Sequence, residues 1–240
     1  MLTTEGWLLD RRVRYAQPAE GYRTGIEPVL LAASVPARAG QRVLEAGTGA
    51  GAGLLCLAAR VPGVLGVGVE IDPAMAELAR RNIAANGFAG LSVTTADIGS
   101  WPGDGMFDHA FSNPPWHDPG ATLPPVARRR VATHEGTLPL EGWIAALRAS
   151  VRPAGSLTLA VPAGQAMRAM TALQALGFGR LTLFPLWPKP DRDAKLLLIR
   201  GHAAQRGPDR LAPGLVLHDI GGAFSDRTQT LLRDGAALLI

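Results

Sequence analysis

Apolar positions along this chain fall into short blocks whose period alternates between that of a strand and that of a helix. Arg42–Ala46, Val64–Glu70, Leu91–Thr95, Phe107–Ser112 and Ser156–Val161 are short apolar runs bounded by turn-forming residues, and they read as strands. Between and after them, Gly53–Arg60, Pro73–Asn86, Leu140–Val151 and Ala163–Leu176 read as helices, the last ending at Gly177. The clearest is Pro73–Asn86, with Asp72 as N-cap, Pro73 in its first position and Gly87 as the stop. On it Met75, Leu78, Ala79 and Ile83 fall near helical spacing.

Ahead of this series, residues 6–15 predict a short strand or hairpin, and Glu27 to about Ala37 an apolar helix with Pro28 in its first turn. Behind it, Leu181–Trp187 and Lys195–Arg200 predict two strands joined by a Pro- and charge-rich turn. So short a connection makes them antiparallel. Gly201–Pro213 reads as a surface loop, and Leu215–Ile240 as a strand and a helix packed back on the body. The alternation predicts an α/β protein whose mainly parallel sheet is covered on both faces. The expected organisation is an N-terminal extension over residues 1–26 and one domain over 27–240.

The most informative local signal is Glu45-Ala46-Gly47-Thr48-Gly49-Ala50-Gly51, where a strand runs into three glycines and then a helix. Glycines let backbone turn tightly and approach a ligand where a Cβ would clash. Glu70 follows at the end of the next strand, at the spacing expected of a nucleoside-binding fold. A carboxylate there offers only acceptors, which suits ribose hydroxyls. Gly47, Gly49 and Ala52 also satisfy a dinucleotide pattern, so a nicotinamide enzyme stays open. Glu45, two residues before the first glycine, suits an ammonium-bearing ligand better than a pyrophosphate. S-adenosylmethionine carries both an ammonium and a sulfonium. Asp97, in Ala96-Asp97-Ile98, is placed to accept from an adenine amino group or to cap a turn.

Ser112-Asn113-Pro114-Pro115-Trp116 comes directly after an apolar strand. Its two prolines fix φ and remove two N–H donors, leaving a stiff loop of carbonyl acceptors. The Asn113 side chain adds another acceptor, and Trp116 a flat apolar face. That set suits an NH2 group whose lone pair is delocalised, as on adenine or an amide. Asn113 and the Pro114 carbonyl can hold both hydrogens and favour a pyramidal nitrogen, while Trp116 stacks the ring.

The formal net charge is +4, and the only two lysines are Lys189 and Lys195, so the cationic surface is nearly all guanidinium. This fits an anionic partner without requiring one. Arg128, Arg129 and Arg130 follow the Asn-Pro-Pro-Trp loop and read equally as phosphate contacts or as a solvated run; His117 beside Trp116 is a second candidate substrate contact. The lone Cys56 sits in an apolar helix and reads as a core thiol, so no internal disulfide is expected. The histidines and cysteine show no metal-ligand spacing, no apolar run is long enough to span a membrane, and no secretory pattern opens the chain. The default expectation is a cytoplasmic protein without metal or membrane partners.

Together these motifs resemble class I amino-methyltransferases. Three further stretches resemble bacterial tRNA(Val) adenine-6-N-methyltransferases: residues 21–32, beginning Gly21-Tyr22-Arg23-Thr24, residues 130–135, and Lys195–Arg200. The resemblance spans roughly residues 5 to 200. It implies a Rossmann-like, doubly wound sheet of seven strands, mostly parallel with one antiparallel, and helices on both faces. It implies S-adenosylmethionine contacts from Tyr22, Arg23 and Thr24, from Glu45 through Ala46, Gly47, Thr48 and Gly49 to Gly51, from Glu70 with Ile71, from Asp97 with Ile98, and from Asn113. It implies catalysis by Asn113, Pro114, Pro115 and Trp116 on the 6-amino group of adenine in RNA, most specifically tRNA. Trp116 replaces the commoner Tyr or Phe, and Glu27 stands where Asp is commoner. Sister families acting on protein glutamine, rRNA guanine or DNA adenine share the Asn-Pro-Pro element, so those acceptors stay open, as does a non-catalytic cofactor-binding partner.

Overall fold

A computed structural model describes residues 1–20, 23–115 and 138–240. Two strands come first, β1 (Thr3–Leu8) and β2 (Val13–Pro18), then α1 (Glu27–Ser34). The alternating body follows: β3 (Arg42–Ala46), α2 (Ala52–Arg60), β4 (Leu65–Glu70), α3 (Pro73–Asn86), β5 (Leu91–Thr95) and β6 (Phe107–Ser112). After residue 137 come α4 (Leu140–Ser150), β7 (Val151–Pro162), α5 (Ala166–Ala175), β8 (Phe178–Trp187) and β9 (Leu196–Ala203). Two short strands, β10 (Arg210–Leu211) and β11 (Leu215–Val216), and α6 (Asp226–Asp234) complete it.

The main sheet runs β8-β9-β7-β6-β3-β4-β5 through its long strands. Only β9 is antiparallel to its neighbours. The expected seven strands with one antiparallel are therefore the long ones. Among the described residues the sheet counts nine, because β10 and β11 add two residues each alongside β8. Alternate strand residues face opposite sides. Val43 points into the core under α1, α2 and α3, while Leu44 and Ala46 point into the core under α4 and α5. Both faces are thus covered by helices.

Several elements end where local chemistry dictates. Asp72 Oδ1 accepts from the Ala74 and Met75 amides, and Gly87 closes α3 in the left-handed region. Helix α1 was expected to reach Ala37 but stops at Ser34. Val35 is extended (ψ 124°), as a residue before proline must be. The Ala163–Leu176 helix opens as a 3-10 turn, Ala163–Gln165, and is α-helical only from Ala166 to Ala175.

Other departures come from pairing. Strand β7 begins at Val151, not Ser156, because Val151 already pairs with Phe107 before a bulge brings Ser156 opposite His109. The Gly201–Pro213 loop is also corrected. Strand β9 lies between β7 and β8 and pairs as far as Ala203, and Arg210–Leu211 pairs with β8.

The expected N-terminal hairpin is present as β1 and β2, joined by a turn with left-handed Leu9, Asp10 and Arg11. Its inner residues Leu9, Val13 and Tyr15 belong to the same core as α1–α3. The outer edge of β2 is capped by two side-chain amides of α3. Asn86 exchanges hydrogen bonds with the Arg14 backbone. Asn82, 3% exposed, accepts from Ala16 N at 2.9 Å and donates to Ala16 O and to Ala50 O, each at 2.9 Å. One amide therefore ties the hairpin to the glycine loop.

Replacing Asn82 by Ala would strand three buried backbone groups. At about 1–3 kcal/mol per buried unsatisfied group, partly relieved by water, a loss of about 3 kcal/mol is expected. For a chain of this size that lowers Tm by roughly 6–12 °C, measurable by thermal unfolding; a change within about 1 °C would refute the clamp.

Candidate functional site

Strand register brings the predicted residues together. Ala46, the last residue of β3, lies opposite Val69 of β4 and Ser112 of β6. The next residue on each of these three adjacent parallel strands is Gly47, Glu70 or Asn113. The chain passes from β3 to β4 and β5 on one side, then crosses to β6 on the other. The β3/β6 boundary is therefore a topological switch point, where the carboxyl ends of an open sheet leave a crevice. A surface depression of about 500 Å³ between the end of α3 and β5 contains none of these residues.

The glycine loop is anchored by Gly47 N and Thr48 N, which both donate to Val69 O. Gly47, Gly49 and Gly51 all take left-handed φ angles, 69°, 56° and 89°. Beside Gly47 lies the indole of Trp143, which a Cβ there would meet in ordinary van der Waals contact at 3.4 Å, so its φ rather than space favours glycine. The Glu70 carboxylate spans the loop: Oε2 accepts from Gly49 N at 2.8 Å and Oε1 from Asp72 N at 2.9 Å. Each oxygen has a second lone-pair direction for a ligand hydroxyl. Beside it Ile71 is 44% exposed, an apolar surface at the site.

Glu45, expected to face the ligand, is 5% exposed. Its carboxyl turns beneath the loop, where Oε2 accepts from the Thr48 hydroxyl at 2.5 Å and from Leu54 N at 3.0 Å. Gly53 makes room for it, since a Cβ there would overlap Glu45 Oε1. The side chain braces the loop against the first turn of α2. Burial pushes its pKa up to about 8, a rise opposed by those two hydrogen bonds and assisted by the charge of Glu70.

Asp97 Oδ1 accepts from Gly99 N at 2.9 Å, the turn-capping role that stood as its alternative, and Ile98 is buried. Thr24 Oγ1 bonds to the Tyr15 hydroxyl at 2.7 Å, and Thr24 N donates to Gln17, both in the hairpin. Arg23 is exposed. Asn113 is half-buried, Pro114 buried and Pro115 exposed, at the carboxyl end of β6. Tyr22, Trp116, His117, Arg128, Arg129 and Arg130 lie outside the described residues.

Two site residues were not singled out in the sequence. Ser112 Oγ donates to Ala46 O at 2.8 Å and accepts from Trp143 Nε1 at 3.0 Å. The available signal for Trp143 was an aromatic in the first turn of α4, beside the apolar stripe Leu140, Ile144 and Leu147. Among the described residues no group of three or more His, Cys, Asp or Glu side chains could hold a metal, and no helix is long and apolar enough to cross a membrane.

This arrangement fits a nucleoside. Its features are a turn whose φ angles admit close approach, a carboxylate for a diol, an exposed apolar wall and an acceptor turn alongside. Residues 27–157 match the model of the methyltransferase small domain. The chain is 34% identical over 221 residues to a tRNA1(Val) (adenine(37)-N6)-methyltransferase of Porphyromonas gingivalis, covering 85% of this chain and 84% of that protein. It is 32% identical over 175 residues to a release factor glutamine methyltransferase of Rhodospirillum rubrum, covering 69% and 52% respectively. In structure it is similar to an Agrobacterium tumefaciens protein described as a predicted O-methyltransferase, with TM-score 0.71 and 25% identity over 89% of this chain and 98% of that one.

The Glu45 burial generates a test of the loop itself. From pH 4.5 to 8 the folded protein holds a proton on Glu45 that the unfolded chain has released. Stability is therefore lost as pH rises through that window, and the penalty is constant above it. Glu45→Gln keeps an acceptor for Thr48 and Leu54 but cannot ionise. Its urea-unfolding free energy should lack this decline, a difference in pH dependence on the order of a few kcal/mol. Parallel pH profiles for the two proteins would refute the burial.

Proposed function

The chain belongs to the methyltransferase small-domain family, and from that premise we propose that it transfers a methyl group to the 6-amino group of adenine in tRNA. It is an S-adenosylmethionine-dependent methyltransferase. The observation that carries the proposal is the register placing Asn113 beside Gly47 and Glu70 on adjacent strands. The glycine loop and Glu70 hold the cofactor, and the Asn113 turn holds the amine, at neighbouring strand ends.

S-adenosylmethionine, when bound, supplies an electrophilic methyl on a sulfonium. The remaining work belongs to the chain. Glu70, already fixed by two backbone N–H groups, accepts from the ribose hydroxyls with little reorganisation. Ile71 would offer its exposed apolar surface to the adenine of the cofactor, and Asp97 would accept from the adenine amino group through the oxygen not used by Gly99. Asn113 Oδ1 and the Pro114 carbonyl hold the two hydrogens of the acceptor NH2. They thereby favour a pyramidal nitrogen and stabilise the positive charge that grows on it in the transition state. The proton leaves after transfer, so no strong base is needed beside the nitrogen. Trp116 as the stacking face, and His117 with Arg128, Arg129 and Arg130 as substrate contacts, enter this reading from the sequence alone.

An adenine displayed in a tRNA loop suits such a site, since an unstacked base presents its amino edge at low cost. The tRNA assignment also draws on the name of the Porphyromonas gingivalis relative, which covers most of the chain. The glutamine enzyme matches over only 52% of its own length.

The decisive assay is methyl transfer to tRNA transcripts, with release factor as a parallel acceptor and N6-methyladenosine measured by nucleoside mass spectrometry. Methylation of release factor and not of tRNA would overturn the acceptor. Within that assay, Asn113→Ala should lower kcat by about 10²–10³ while S-adenosylhomocysteine affinity stays within about threefold. Glu70→Ala should instead weaken S-adenosylhomocysteine about 10- to 100-fold by calorimetry, the worth of a hydrogen bond to a charged group. Full turnover by Asn113→Ala would end the proposed mechanism.

A further inference from the structure

We propose that Trp143 is a positioning residue for methyl transfer, acting through Ser112 to hold the Asn113 turn at a fixed distance from the glycine loop. The inference rests on the reading above, in which Asn113 grips the acceptor amine.

Ala46 and Ser112 are the last paired residues of β3 and β6. Beyond them the backbone ladder stops, and the two strand ends carry the two halves of the reaction. Ser112 Oγ links them as the ladder ends, donating to Ala46 O at 2.8 Å. A hydroxyl has a single hydrogen, so its direction is set by what else meets the oxygen. The indole Nε1–H of Trp143 meets it at 3.0 Å and can only donate, which commits the Ser112 proton to Ala46. Ser112 is fully buried, so water does not compete for either bond.

The same indole lies beside the other strand end along the ring edge next to its nitrogen. A Cβ built on Gly47 would lie 3.4 Å from Cζ2 and 3.6 Å from Cη2 of Trp143. One rigid ring therefore bounds the space beside the residue after β3 and holds the residue before Asn113 through its N–H. Its backbone is secured by α4, where Ile144 and Leu147 are fully buried under the sheet. A phenyl ring would still fill part of the space but would remove the N–H that commits the Ser112 proton to Ala46. Alignment in group transfer is steep in distance, and a misplacement of about 1 Å can cost about 10²-fold in rate.

The test uses the full chain with Trp143→Phe, Ser112→Ala and the double variant. The readouts are kcat and KM on tRNA transcripts, S-adenosylhomocysteine Kd by calorimetry, and thermal unfolding. Each single change should lower kcat about tenfold or more, with Kd within about threefold of wild type. The double variant should lose no more than the worse single, because both changes break the same link. Unchanged kcat, losses that multiply in the double variant, or a Kd that rises in step with the kcat loss would each overturn the inference. An acceptor-independent readout separates it from the tRNA reading. The indole N–H resonance of Trp143, identified by its disappearance in Trp143→Phe, should shift in Ser112→Ala and on addition of S-adenosylhomocysteine. If wild type methylates no tRNA while that resonance responds, the acceptor assignment fails and the link stands. A resonance unmoved by either change refutes the link, whatever the acceptor.

Discussion

Parallel pairing of β3 with both β4 and β6 is the constraint on which the rest of this molecule depends. Ala46, Val69 and Ser112 lie at one level on three neighbouring strands, and the residue after each belongs to a different chemical task. A slip of one residue in either pairing would move Glu70 or Asn113 away from Gly47 and turn its strand inside out. The register is held by the two cores, because Leu44 and Ala46 must face α4 and α5 while Val43 faces α1 and α2. Packing of aliphatic side chains thus sets the geometry of a polar site that contains none of them.

The glycine loop shows how cost is distributed at such a site. A buried carboxyl with a pKa near 8 is an unfavourable thing to place under a loop. It is tolerated because it orients Thr48 and the Leu54 amide in the first turn of α2 at once. Glu70 does comparable work from the other side with Gly49 and Asp72. The loop is therefore shaped from below and from the flank before any ligand arrives, which lowers the entropy lost on binding.

Features written in local chemistry were legible in the sequence. Pro73–Asn86 emerged with its observed bounds because Asp72, Pro73 and Gly87 act within one turn of the chain. Leu91–Thr95 and Phe107–Ser112 did so because turn residues flank them. What pairing decides was not legible. The start of β7 depends on Phe107, and the end of β9 on two neighbours far away in sequence. At the site, residue types could be read but orientations could not. Glu45 was recognisable as an acid before a glycine, yet its inward turn depends on where α2 returns. Trp143 meets Ser112 across 31 residues, and no local pattern marks that encounter.

The placement of β9 has a consequence for how the polypeptide assembles as it is made. Among the described residues, strand β8 pairs with β9, β10 and β11, all of which follow it, and with none that precede it. Residues of β8 pack into both cores, yet until β9 is in place neither β8 nor the far edge of β7 has its main-sheet partner. Both gaps close together when β9 slides in between. Every strand that carries the site thus precedes, in chain order, the β8–β9 pair that extends the sheet beyond β7.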